Sequence, residues 1–206
     1  MGFLWRHPQR LWRPLLCLAP LWRYLLRGRD RGALKAEVIH RTLANVPRDE
    51  LARWTTQFTV QLLRTGLYGE ALDCIAAHRR SRAHLVLLSA STDLYVPAIA
   101  RALGFDECLC TELGWCGDAT LDGTLRSANR RDAEKARCVA TLLAEHQPLL
   151  SYAYGNSRAD LPHLALVSAG TYVNGPARHL TQLPGVRAVR WFRRGIAPLA
   201  GGVAGL

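Results

Sequence analysis

The chain has 206 residues, of which 49% are hydrophobic and 8% aromatic, enough to bury one sizeable core and too apolar for a disordered tail or linker. Its 27 Lys and Arg against 16 Asp and Glu leave a formal charge of +11, a field that suits an anionic substrate, an acidic membrane surface or nucleic acid. No basic run is interleaved with base-stacking aromatics, so most of the excess is expected on solvated surface and no nucleic-acid partner is expected.

Leu11, Leu15, Leu18, Trp22 and Leu25 recur at helical spacing, with Arg10, Arg13, Arg23 and Arg27 on other faces, which describes a basic amphipathic helix bent or restarted at Pro14 and Pro20. The apolar stretch 14–26 contains Arg23 and falls short of the roughly 20 residues a bilayer span needs. No small-residue cleavage site follows it, so neither a transmembrane span nor a signal peptide is expected. Two readings fit this helix: one packed on its neighbours, and one lying on an anionic membrane surface with Trp5, Trp12 and Trp22 at the interface. Residues 31–43 and 47–63 are helix-periodic, the second with Pro47 in its first turn and Asp49 and Glu50 where the helix dipole favours acids. Residues 1–80 are therefore expected to form a helical region.

From His84 the pattern alternates. Short apolar runs at 85–88 and 149–154 predict buried parallel strands, joined by strands at 107–111, 171–173 and 186–191 and by helices at 94–103, 133–146 and 161–168. A segment with Gly114, Gly117 and Gly123 reads as turn-rich. The expected class is α/β, a Rossmann-like parallel sheet covered by helices on both faces over residues 81–194, with a flexible tail at 195–206. Cys17, Cys74, Cys108, Cys110, Cys116 and Cys138 form no C-x-x-C pair, and they read as reduced thiols of a cytoplasmic protein rather than a zinc cluster or disulfide framework.

Two loops that follow apolar runs carry polar groups to the carboxyl edge of such a sheet: Ser89-Ala90-Ser91-Thr92-Asp93, and Gly155-Asn156-Ser157-Arg158-Ala159-Asp160. A strand-end hydroxyl donates to a phosphoryl oxygen, a lysine neutralises the transferring group, and a carboxylate beside an amide oxygen holds a hard cation such as Mg2+. Ser89, Lys135, Asn156 and Asp160 supply that set. Taken singly, Ser89, Ser91 and Asp160 would serve as helix caps and Lys135 as a surface charge. Together, each at a strand end or helix start, they form a specific pattern.

These stretches, with the Glu134-Lys135 pair and Tyr172-Val173-Asn174-Gly175-Pro176, resemble the haloacid dehalogenase superfamily in its phosphoserine-phosphatase-like branch, subfamily IB, from about Leu26 to Trp191. The resemblance implies a Mg2+-dependent phosphomonoester hydrolase working through a phospho-enzyme. It assigns Ser89 to the second-motif hydroxyl and Lys135 to the third-motif lysine, with Ser89, Ala90 and Lys135 binding substrate and Asn156 and Asp160 binding metal. It also implies a cap made by residues 1–80 and a small phosphorylated substrate, with a phospholipid head group such as phosphatidylglycerophosphate among those left open. The protein would then be cytoplasmic or peripheral to the inner membrane face. The alternative is a non-catalytic phosphate-binding or membrane-associated relative. In a complete protein carrying the family's first motif, Asp160→Asn is expected to abolish Mg2+-dependent turnover with stability little changed or raised.

The sequence departs from the family pattern in two ways. The opening strand ending in D-x-D-G-T, which supplies the aspartate nucleophile, has no counterpart, since Asp122-Gly123-Thr124 lacks the first Asp and a preceding apolar strand and reads as a hairpin turn. That central strand would lie between those ending at Ser89 and Tyr154, so the sequence is expected to be a shortened reading begun at Met1 and inactive as it stands. Asn156 stands where an Asp is usual, which brings less charge to a cation.

Overall fold

The structure is a computed structural model that describes residues 31–117, 119–181, 183 and 185–192. The basic amphipathic stretch of the first 30 residues and the tail at 195–206 lie outside the described residues. No described helix is long and apolar enough to cross a membrane.

Three helices lead the described chain: α1 Arg31–Leu43, α2 Arg48–Thr65 and α3 Gly69–Arg80. Pro47 sits one position earlier than the sequence reading put it, as the extended N-cap of α2, and its fixed φ of −61° suits the entry to the helix. Asp49 and Glu50 occupy the first turn, and Leu51, Thr55, Thr59 and Leu63 make a buried stripe four residues apart. The main apolar cluster joins Ile39 of α1, Val46, and Leu51 of α2 to Leu113 and Leu121 of a two-stranded antiparallel hairpin, β3 Leu113–Cys116 with β4 Thr120–Leu125. The helical region thus packs on a hairpin where the sequence pattern predicts turns.

Asp122-Gly123-Thr124 lies inside β4 and not at the hairpin turn, which falls at Gly117 with φ +56°. Asp122 Oδ1 accepts from the Thr124 N–H and hydroxyl at 2.6 and 2.8 Å. The glycine is required because α1 rests on it: a Cβ at position 123 would stand 2.8 Å from the His40 Cα, at a backbone φ of +84°.

The α/β part is built of parallel strands. β1 Val86–Thr92 pairs with β2 Glu107–Thr111 across helix α4 Val96–Leu103. After helix α5 Ala133–His146, β5 Tyr152–Gly155, β6 Ala169–Val173 and β7 Val186–Val189 form a second parallel sheet, with the one-turn helix α6 Leu161–Leu164 between β5 and β6. The expected single sheet is therefore divided, and among the described residues no strand pairs β1 with β5. Residues 86–91 of β1 are only half-buried although they read as an interior parallel strand, as an open strand edge requires.

The start of β5 and the end of α6 differ from expectation, and the strand expected at 186–191 stops at Val189. Leu149 and Leu150 are 99% and 65% exposed and precede β5 rather than entering it. Gln147 takes a left-handed conformation and Pro148 follows, which turns the chain before Ser151 engages Ser168 and Ala169. The helix expected at 161–168 stops at Leu164, leaving Leu166 exposed.

Candidate active site

The first polar loop is a bulge. Leu88 pairs with Leu109 and Thr92 with Thr111, so Ser89, Ala90 and Ser91 of β1 oppose the single residue Cys110 of β2. The strand therefore runs on past the point where the sequence reading ended it, and its backbone leaves the ladder at the three residues of interest. Ser89 Oγ accepts from the Ser91 N–H at 3.1 Å, which fixes the bulge. The Ala90 carbonyl accepts from Lys35 Nζ at 2.5 Å and from Thr111 Oγ1 at 3.1 Å.

Lys35 was not among the residues singled out from sequence. It projects from α1 onto the bulge and also donates to Asn129 Oδ1 at 3.2 Å. Burial lowers its ammonium to about 8, against the opposing pull of Cys110 and Asp93. Asp93 closes the loop by accepting the Leu113 N–H at 3.3 Å; its other oxygen is buried without a partner, and burial raises its carboxyl. Only a polar position inside a helix-periodic stretch marked Lys35 in the sequence, and many surface lysines share that signal.

The second loop is organised by Asp160, which is 4% exposed. One carboxylate oxygen accepts from the Asn156 N–H at 3.1 Å, the Ser157 N–H at 2.9 Å and the Ser157 hydroxyl at 2.8 Å. The other accepts from Lys135 Nζ at 2.6 Å. Asp160 thus braces the turn behind it, across the 3₁₀ segment Arg158–Asp160, and does not act as a simple cap of α6. Burial pushes its carboxyl up, but the bonds from Lys135 and Ser157 outweigh that, and the net position is below the usual carboxylate range. Gly155 makes the approach feasible, since a Cβ there would lie 2.4 Å from the Asp160 Cβ. His163, one turn on, is held down to about 4 by burial and by the Lys135 charge, so its imidazole is neutral at neutral pH.

Lys135 comes from the first turn of α5, where Glu134 is gripped by Arg130 and Arg137. The structure brings Lys135, Asp160 and the Asn156 backbone together. Ser89 and Ala90 form a separate cluster with Lys35, and among the described residues no hydrogen bond links the two clusters. The Asn156 side chain is exposed beside Asp160. Asn174 and Gly175 serve the fold: Asn174 clasps the Trp191 backbone at 2.8 and 3.0 Å, and Gly175 lies against the Tyr172 ring. The described cysteines Cys74, Cys108, Cys110, Cys116 and Cys138 are free thiols.

Mg2+ takes oxygen ligands and is commonly bound by one or two carboxylates together with substrate phosphate and water. Both Asp160 oxygens are already engaged, by Lys135 and by Asn156 and Ser157, and the residue is buried, so the exposed Asn156 amide is the oxygen donor this loop leaves open and the loop supplies only a small part of such a shell.

Parallel strands whose carboxyl ends carry a hydroxyl-bearing bulge and a lysine–carboxylate pair define an α/β protein with its polar groups at the sheet edge. The haloacid dehalogenase-like hydrolase family matches residues 1–165, and the chain belongs to that family. It is 30% identical over 173 residues to protein CicA of Caulobacter vibrioides, covering 82% of this chain and 75% of that one. It is 36% identical over 123 residues to a probable phosphatase of Mycobacterium tuberculosis, covering 59% of this chain and 42% of that protein. In fold it is similar to the probable phosphoserine phosphatase of Vibrio cholerae, with a TM-score of 0.70 at 15% identity over 87% of this chain and 53% of the other.

Proposed function

We propose that this hydrolase-family chain binds a small phosphomonoester at the two strand-end loops, as a member of the phosphoserine-phosphatase-like branch. The observation that carries the reading is Lys135, nearly buried and held at 2.6 Å by Asp160 at the end of a parallel strand. An ammonium fixed there by one carboxylate keeps donors free for phosphoryl oxygens. The Ser89 hydroxyl and the backbone of the bulge supply further donors, and Lys35 sets the bulge from the helical side. Asp160 positions Lys135 and holds the Asn156 turn. Mg2+ beside the Asn156 amide, with the Asp160 charge behind it, would supply further charge neutralisation when bound.

The sequence has no D-x-D-G-T motif to supply the family's aspartate nucleophile, so on this reading the chain as given holds phosphate without turning it over. The substrate class is a small phosphorylated molecule; the phospholipid head-group reading rests on the basic stretch Arg10 to Arg27 alone. The test is to measure binding and hydrolysis of p-nitrophenyl phosphate together, with Mg2+ and with chelator. The reading predicts binding that Mg2+ strengthens and no turnover. Absence of binding would remove the phosphate assignment, and Mg2+-dependent turnover would show that a nucleophile is present after all.

A further inference from the structure

At the amino ends of β1 and β2, the edge opposite the two loops, three side chains from distant parts of the chain converge. His84 precedes β1, Glu107 opens β2 and His146 closes α5. Glu107 Oε1 lies 2.7 Å from His84 Nε2 and 3.0 Å from His146 Nε2. The two imidazoles lie tilted against each other with centroids 4.5 Å apart, and one ligand atom from each of the three residues lies within 4.8 Å of the others. Asp106 stands behind them: its Oδ2 accepts the Leu85 N–H at 2.7 Å and faces His84 Nδ1 at 3.9 Å.

We propose that His84, Glu107 and His146 bind a divalent transition-metal ion, Zn2+ by donor type, as a staple between the parallel pair β1–β2 and the end of α5. Two imidazole nitrogens and one carboxylate oxygen make a donor set typical of Zn2+, with water completing four-coordination. The same set is unsuited to Mg2+ or Ca2+, which take oxygen ligands. One carboxylate oxygen already lies within hydrogen-bond distance of a ring nitrogen of each histidine, which gathers the three donor atoms around one point. Asp106, fixed by the Leu85 amide, puts a carboxylate on the Nδ1 side of His84, which is compatible with a proton there and a metal at Nε2. The residues are 43%, 35% and 40% exposed, so the site is open to metal from solvent. The opposite end of α5 carries Lys135, and the staple would therefore hold the helix that presents that lysine.

The test is titration of the metal-free full chain with Zn2+, and with Co2+ as a spectroscopic stand-in. The expected result is one ion per chain, a thermal midpoint that rises with Zn2+ concentration, and a Co2+ spectrum of nitrogen and oxygen ligands without a thiolate charge-transfer band. Glu107→Gln, His146→Gln and His84→Gln should each weaken Zn2+ roughly tenfold or more, with unchanged far-ultraviolet circular dichroism in the metal-free state. Zn2+ binding that the three substitutions leave at parental strength would overturn the proposal. So would a thiolate band on the parent protein, which needs no variant to read and would move the ion to the cysteines. Absence of stoichiometric binding to the parent protein would do the same.

Discussion

Asp160→Asn separates a structural pair from a surface charge. The Asp160 and Lys135 side chains are 6% and 15% exposed, so the substitution strands an ammonium in a site with almost no water. An asparagine has one carbonyl oxygen to place. If that oxygen keeps the bonds from Asn156 and Ser157, the amide NH2 faces Lys135 Nζ, donor against donor; if it turns to Lys135, the turn loses its acceptor. Removing one partner of a buried pair costs about 3–5 kcal/mol, against a total stability of about 5–15 kcal/mol for a typical domain. This reverses the sequence expectation that the substitution leaves stability little changed, which treated Asp160 as a cation ligand alone. Urea unfolding at pH 7, followed by circular dichroism, should show a loss of about 3 kcal/mol or more. The double variant Lys135→Met/Asp160→Asn should recover at least about 1 kcal/mol of the summed single losses. A loss below about 1 kcal/mol, as an exposed ion pair would give, or strict additivity in the double variant, would refute the reasoning.

Gly155→Ala should destabilise by about 1–3 kcal/mol, because its Cβ would stand 2.4 Å from the Asp160 Cβ and the loop must shift; unfolding at the parental urea midpoint would contradict this. Glu134 is held down to about 2 from 4.5, first by its bond to Arg137 and then by Arg130. Because the folded value is the lower one, its contribution is complete above about pH 4.5 and is lost as pH falls towards about 2. Glu134→Gln should therefore lower stability at pH 7 and flatten the acid limb between those values, and an unchanged acid limb would count against the assignment.

The first parallel strand was legible because a buried parallel strand opens as a short apolar run, as Val86-Leu87-Leu88 of β1 does, and β2 and β6 followed from the alternation of strands with helices. Helix α5 and the polar loops around Ser89 and Asp160 followed from the same pattern. Leu149 and Leu150 extend such a run but lie in a turn set by Gln147 and Pro148, so hydrophobicity alone misplaced the start of β5. The β3–β4 hairpin was hidden because its glycines mimic turn signals: Gly123 is needed where α1 crosses the strand, a contact between residues far apart in sequence. Lys35 was missed for the same reason, its partners Ala90 and Asn129 lying 55 and 94 residues away. The Lys135–Asp160 bond was likewise invisible as geometry, although both residues were singled out by type and position.

The central claim, that the two strand-end loops hold phosphate, is tested most directly by titrating inorganic phosphate into the full chain by calorimetry, in parallel with Ser89→Ala and Lys135→Met. A charge-assisted hydrogen bond is worth about 1.5–3 kcal/mol, roughly ten- to a hundredfold in affinity. The account predicts saturable binding that Lys135→Met weakens by at least about tenfold and Ser89→Ala weakens less. Binding of equal strength in all three proteins, or none in the parent, would contradict it.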